Sequence, residues 1–439
     1  MRTLTLITAA LTALITLSAH AIDLEKLTEN LTPEQAARYE VFNNFYINGV
    51  CGENRLDLAQ SFGINTIRGY TVNIKNGSTK RTLDEAHSRG MKVILSEWMP
   101  HHGENKDRNG TWNFDYTKNV EQRLANFAEK VAALGDHPAV LMWGLGNEVH
   151  LDREYLEYVN KMSRLIHDRF PLALTSLTMI NAKPENIEKI KRYAPDLDII
   201  GVQSYSVGAV RGGIRNMEEH WGKPYYYSEF NGKGPWNFGK TEWGTPREDL
   251  PAQRVADIHA CYDAIEAAPR CLGSTAFLWG QWSGADRSTY FSLLLSAHPH
   301  TPKAAQAAGL SEELLITPAA EVLAERFAGK VPLENRAPVI TKLEALDGQR
   351  EVSATPNQRL RIRLEGEDTN NDRLTGQVWV VKRSGNNRVA AGPFRMNPRG
   401  ITPIQAPAEG SDDYLIVATI FDGNGACSST TIPMQVKSN

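Results

Sequence analysis

Val140-Leu141-Met142-Trp143-Gly144-Leu145-Gly146-Asn147-Glu148 is an apolar run that breaks at two glycines and ends on a carboxylate. Residues 155–169 follow it with apolar side chains every three or four positions, the period of a helix, and residues 172–177 are short and apolar again. Strand, helix, strand in that order is one crossover unit of a parallel sheet. The same rhythm extends in both directions, with strands expected at residues 45–49, 65–69, 92–96, 140–145, 172–177, 198–202, 225–229 and 274–279. Helical periodicity is clearest at 118–134, 155–169 and 252–267, and a polar helical lead occupies 24–39.

Eight such repeats in about 250 residues have the size of a closed (β/α)8 TIM barrel. An open doubly wound sheet is the rival, but no Gly-rich phosphate loop follows the first strand to support it. A helical tail at 312–327 closes the region, and the Pro-punctuated residues 331–338 read as a linker. Beyond it, short alternating runs at 359–364, 377–381 and 414–420 lie between turn clusters, the pattern of a small all-β sandwich. The expected organisation is therefore a leader at 1–21, an α/β barrel over 22–330, the linker 331–338, and an Ig-like β-sandwich over 339–439.

The leader is Met1-Arg2-Thr3, an apolar run from Leu4 to Leu17, and then Ser18-Ala19-His20-Ala21. Positive, apolar and small-x-small in that order is a secretory signal, with cleavage expected after Ala21. The run is shorter than the roughly 20 residues that span a bilayer. A secreted or periplasmic protein, not inserted in a membrane, is expected. The net charge of -3 and pI near 6.4 exclude a surface built to neutralise nucleic acid.

Cys51, Cys261, Cys271 and Cys427 show no CxxC spacing, so a zinc centre is not expected. Export permits disulfides, and Cys261 with Cys271, which flank a short turn, is the pair expected to join. Four cysteines nevertheless allow three connectivities. His101-His102 near Glu97 lacks a third ligand at helical spacing, so no metal and no cofactor is expected there. In the C-terminal region, Asp368, Asn370 and Asp372 offer hard oxygens at alternating positions, but such residues more often build a turn.

Working residues of a barrel lie where its strands end. The fourth strand delivers Glu148 there, and the seventh, Tyr225-Tyr226-Tyr227-Ser228-Glu229-Phe230, delivers Glu229. Cleaving an acetal with retention takes one carboxylic acid to protonate the leaving oxygen and one carboxylate about 5 Å away to attack carbon. Two glutamates on different strands of one rim can meet that requirement. Each alone would pass for an ordinary solvated residue.

On Gly63-Ile64-Asn65-Thr66-Ile67-Arg68, Trp143-Gly144-Leu145-Gly146-Asn147-Glu148 and Tyr227-Ser228-Glu229-Phe230, the chain resembles glycoside hydrolase clan A. These are retaining barrels whose acid/base follows Asn on strand four and whose nucleophile ends strand seven. The resemblance spans roughly residues 45–280 and is nearest to the family 2 catalytic barrel. It departs from that family in Gly69-Tyr70, where a pairing with His is usual, and in lacking the N-terminal β-sandwich domains within these 439 residues. The barrel is also similar to glucan-remodelling families 17 and 72.

The resemblance implies Glu148 as acid/base and Glu229 as nucleophile, acting on an oligo- or polysaccharide, with a bias toward β-linked glucan. It further implies that Arg68 bonds the Glu229 carboxylate, that Asn147 faces the sugar 2-hydroxyl, that Tyr205 donates to Glu229, and that Trp279 forms an apolar floor under the sugar. Glu97, Trp98, Trp236 and Trp282 are expected as further substrate contacts, with Trp243 beside them. The segment 365–379 is similar to the turn-and-strand of bacterial Ig-like or PKD-type modules. A transglycosidase with the same residues, or a carbohydrate-binding protein without turnover, is the alternative.

Overall fold

The computed structural model describes residues 23–101, 114–282, 289–296, 314–384, 388–396 and 399–437. The expected leader, its cleavage site and His102 lie outside them. Helices α1 (Leu24–Thr28) and α2 (Pro33–Arg38) and a 3-10 turn, Glu40–Asn43, precede the first strand. Then come β1 (Ile47–Cys51), α3 (Leu56–Ser61), β2 (Thr66–Arg68), α4 (Ser78–Ser88), β3 (Lys92–Glu97), α5 (Val120–Leu134), β4 (Val140–Asn147) and α6 (Arg153–Arg169). The series continues through β5 (Leu174–Ile180), α7 (Pro184–Tyr193), β6 (Ile199–Gln203), α8 (Val207–Asn216), β7 (Tyr225–Phe230), α9 (Pro251–Glu266) and β8 (Cys271–Ala276).

All eight expected strands are present and every neighbouring pair is parallel, and β8 returns to β1 through Ile47↔Gly273 to Val50↔Ala276, which closes the barrel. The open sheet is thereby excluded. Along each strand the side chains alternate, so one set fills the barrel and the other meets the helices. Ile47, Ile94, Met142, Leu174, Ile199, Tyr226 and Leu272 share the cluster plugged by Leu27, Tyr39 and Phe42 from the N-terminal lead. Val93, Leu95, Trp143 and Leu145 instead pack in the larger core with Phe127 and Val131 of α5 and Leu156 and Val159 of α6. The apolar period read from the sequence is thus the period of burial.

Closure needs close approaches between β1 and β8, at Gly49 and most tightly at Gly273. Gly273 has φ +117°, and a Cβ there would run into the Ile47 carbonyl oxygen and backbone.

The region after β8 differs from expectation. Residues 314–316 were expected to be helical, but Leu314–Ile316 forms β10, antiparallel to β9 (Leu294–Ser296). The helix, α10 (Pro318–Ala328), starts later with Thr317 as its cap. Pro318 cannot sit in a helix interior and suits the first turn, while Leu315 is buried against Leu295 and Cys427. The expected Cys261–Cys271 bridge is not formed: both thiols are free and buried, Cys261 within α9 and Cys271 at the start of β8.

The C-terminal region holds β11 (Val339–Ala345), β12 (Val352–Ala354), β13 (Arg359–Glu367), β14 (Thr375–Lys382), β15 (Arg388–Met396), β16 (Arg399–Gln405), β17 (Ser411–Phe421) and β18 (Cys427–Val436). They form a three-stranded sheet, β11-β13-β16, and a five-stranded one, β12-β18-β17-β14-β15, antiparallel except where β12 runs with β18. Ile340, Ile362, Leu364, Val378, Val380, Ile416, Ile420 and Ile432 fill the space between them, as in a β-sandwich. Asp368 accepts from the backbone N–H of Asn370 (2.8 Å) and of Asp372 (3.1 Å), which is turn chemistry. The carboxylates of Asp368, Asp372 and Asp422 come within 4.8 Å of one another.

Arg336 and Ala337 are held by α10. Glu321 on α10 accepts from Ala337 N–H at 2.7 Å, and Arg336 pairs with Glu321 at 3.1 Å and Glu325 at 2.8 Å. Among the described residues no helix is long and apolar enough to cross a membrane.

The closure at Gly273 is testable. Gly273→Ala is expected to destabilise the chain by at least about 2 kcal/mol, from a strained backbone plus a steric conflict, read as a lower midpoint in guanidinium unfolding. An unchanged midpoint would show that the β1–β8 seam tolerates a side chain.

Candidate active site

Gly144, Gly146 and a register shift between β4 and β5 turn the end of β4 into the barrel mouth, as bulges beside active sites commonly do. Gly146 has φ +97°, and a Cβ there would collide with the Tyr155 hydroxyl, which donates to the Leu145 carbonyl at 2.6 Å. Glu148 itself sits at φ +55°, a conformation uncommon outside glycine that clusters at functional sites. Its N–H donates to the Thr178 carbonyl at 3.3 Å.

Opposite, β7 presents Glu229, 5% exposed. Oε1 receives the Arg68 guanidinium at 2.7 Å and the Tyr70 hydroxyl at 2.7 Å, and Oε2 receives the Tyr205 hydroxyl at 2.7 Å. Arg68, ending β2, is 1% exposed. Its other nitrogen donates to Asn147 Oδ1 at 2.7 Å, an oxygen that also accepts from Gln203 Nε2 at 2.7 Å. Strands β2, β4, β6 and β7 are thereby tied to one another at their C-terminal ends.

The two carboxylates do not share an environment. Burial, and after it the negative charge of Glu229, pushes Glu148 up to about 7, with Arg68 opposing. A carboxyl held protonated near neutrality beside a carboxylate with a cationic partner is an acid next to a base.

The other expected contacts divide. Trp236 is 58% exposed and meets Tyr205 edge-on at 5.5 Å; Trp282 stands 5.6 Å from Phe277 and 5.5 Å from Phe291. All three partners belong to the aromatic cluster around Tyr205. Trp98, 42% exposed, lines a separate cleft with Val72, Asn73, Tyr116 and Lys130.

One expectation fails. Trp279 is no floor for a sugar: it is 0% exposed, donates Nε1–H to the Asn54 carbonyl at 2.6 Å and lies edge-on to Phe62. Because β8 ends at Ala276, Phe277 occupies the site side and Trp279 turns into the core. Glu97, on the face of β3 that also carries Val93 and Leu95, lines the cleft of Trp98 rather than the surroundings of Glu229, and Lys130 of α5 holds both its oxygens at 2.5 and 2.7 Å.

Tyr70 and Gln203 were not singled out from the sequence. The signal was present, since each lies two positions from an expected site residue, Arg68 and Tyr205. Side chains two apart in extended chain face the same way.

No family profile matches the sequence, and no curated protein matches it. Among solved structures, the chain is similar to the β-glucuronidase of Bacteroides uniformis at 12% identity and TM-score 0.47, covering 90% of this chain and 47% of that one. It is similar to the GH2 β-galacturonidase from Eisenbergiella tayi at 18% identity and TM-score 0.41, covering 54% and 44%. It is also similar to the Thermobacillus composti GH10 xylanase at 18% identity and TM-score 0.40, covering 55% and 86%. The chain spans less than half the length of the first two. At these identities the likeness is one of fold.

The coupling of the two carboxylates predicts that Glu229→Gln lowers the pKa of Glu148, because a negative neighbour is removed while burial stays. Carbon-13 NMR titration of the Glu148 carboxyl reads this without any substrate. A titration identical to that of the unaltered protein would mean that the two groups do not interact.

Proposed function

We propose that the protein is a retaining glycoside hydrolase that cleaves β-linked oligo- or polysaccharide, with Glu148 as acid/base and Glu229 as nucleophile. The observation that carries this reading is the asymmetry of the pair: one carboxyl pushed up to about 7 by burial and by its neighbour, the other gripped by Arg68, Tyr70 and Tyr205. The leader read in the sequence at residues 1–21 supports a reaction outside the cytoplasm.

In the first step Glu148 gives its proton to the glycosidic oxygen, the bond from that oxygen to the anomeric carbon breaks, and a Glu229 oxygen bonds to the carbon. The first fragment leaves as an alcohol. In the second, Glu148, now a carboxylate, takes a proton from water, whose oxygen displaces Glu229 and restores both groups. Asn147 has its carbonyl oxygen occupied by Arg68 and Gln203, so its amide N–H is the end offered to the 2-hydroxyl. Trp236 and Trp282 supply the apolar faces on which sugar C–H surfaces stack, joined by Phe277 in place of Trp279. A sugar hydroxyl in the position of the water makes the same steps a transglycosylation.

The test incubates the protein with β-linked gluco-, manno-, galacto- and uronic acid-containing oligosaccharides, following product length by mass spectrometry. Shorter products are expected, with kcat reduced about 10²- to 10⁴-fold in Glu148→Gln and lost in Glu229→Gln. The first product should keep the β configuration by proton NMR, and kcat/KM should fall as pH rises through about 7, where Glu148 loses its proton. An α first product, or full activity in Glu229→Gln, contradicts the reading.

A further inference from the structure

We propose that the C-terminal sandwich is a working part of the active site, with Thr431 on β18 acting through Glu248, Arg254 and Asn231 to position the aromatic wall beside Glu229. The proposal rests on the reading of Glu229 given above.

The chain of contacts begins next to the nucleophile. Asn231 follows Glu229 by two residues and is 1% exposed. Its amide donates to the Phe277 carbonyl and, at 2.8 Å, to the Phe291 carbonyl, so one side chain ties together the two aromatics that pack on Tyr205. Its Oδ1 accepts from Arg254 Nε at 3.3 Å. The remaining Arg254 nitrogens donate to the carbonyls of Thr289 at 2.8 Å and Ser292 at 3.0 Å, on either side of Phe291. The Thr289 hydroxyl donates to Glu248 Oε2 at 2.8 Å, and that oxygen also accepts from the Thr431 hydroxyl at 2.7 Å, across the domain boundary. Every member of this chain is buried except Arg254, which is half-buried.

The same loop is held to the sandwich along its length. Thr245 donates to the Asp412 carbonyl at 3.2 Å, Arg247 Nε meets Glu351 at 2.6 Å, and Thr430 donates to the Asp249 carbonyl at 3.3 Å. Leu250 packs on the sandwich core. Nearer the site, this loop carries Trp236, and Asn237 donates to the Tyr205 carbonyl. Apolar contact alone is enough to make two domains adhere, whereas a buried polar network with directional bonds specifies one arrangement and is strongly disturbed by loss of a member. Burial pushes Glu248 up to about 7 and Arg254 down to about 10, as expected where charged groups are kept in a dry interface.

Thr431→Val removes the hydroxyl and keeps the shape, and Thr431→Ser keeps the hydroxyl. In the full chain, Thr431→Val is expected to lower kcat about tenfold or more through misplacement of the wall. It should also speed hydrogen–deuterium exchange in residues 229–238 and 277–282, and Thr431→Ser should restore both. Glu351→Gln, which loosens the same interface outside the chain of contacts, should leave kcat unchanged.

Exchange altered only within β18 and residues 245–250, or an unchanged kcat in Thr431→Val, overturns the proposal. If Thr431→Val does not fold, Thr289→Val breaks the next link of the same chain at Glu248 while keeping the Thr289 carbonyl that Arg254 holds; the same loss of kcat and the same exchange pattern are expected. Should the unaltered protein turn over none of the sugars, it is the assigned reaction that fails. The exchange pattern then still decides whether Thr431 reaches the wall.

Discussion

The Arg68–Glu229 ion pair, with side chains 1% and 6% exposed, is the constraint on which the rest of the site depends. Two charges held out of water are tolerated only if their remaining hydrogen-bonding capacity is met. Tyr70 and Tyr205 meet it for the carboxylate, Asn147 and the Ser228 carbonyl for the guanidinium. Meeting it brings the ends of four strands together, and the Glu229 charge held there adds to burial in keeping Glu148 protonated. The protonation of Glu148 is therefore coupled to the buried pair, although its own burial is the larger cause.

The barrel makes that pair possible by closing. Its inner layer of Ile94, Met142, Leu174, Ile199 and Tyr226 packs below the mouth, so the polar cluster rests on a dry floor rather than on water. The chain then turns through left-handed conformations at Gly146 and Glu148, where β4 ends. On the far side, the sandwich grips the loop after β7 from behind. The buried bond from Thr431 to Glu248 is the innermost of these contacts.

Much of this was legible in the sequence because it rests on local pattern. The eight strands were read from apolar runs and Glu148 and Glu229 from their places at strand ends, while Arg68, Asn147 and Tyr205 came from the resemblance. What the pattern left open was decided at longer range. Trp279 was read as facing the mouth, but β8 stops three residues earlier, and the direction of a side chain beyond a strand's end follows from packing, here against Phe62. Glu97 ends its strand as Glu229 does, yet lines the cleft of Trp98, and pattern alone assigns the face of a strand poorly when both faces are buried. Leu314–Ile316 has no helical or strand signal strong enough to override its partner Leu294–Ser296. The union of Thr431 with Glu248, 183 residues apart, leaves no mark in either neighbourhood.

The central claim, that Glu229 attacks the sugar carbon, is tested most directly by trapping the intermediate. An activated 2-deoxy-2-fluoro glycoside of the sugar that the protein turns over should leave one sugar mass on the intact chain, carried by the peptide that contains Glu229 and absent from Glu229→Gln. Turnover of the parent glycoside with no adduct, or an adduct on another residue, would contradict the account.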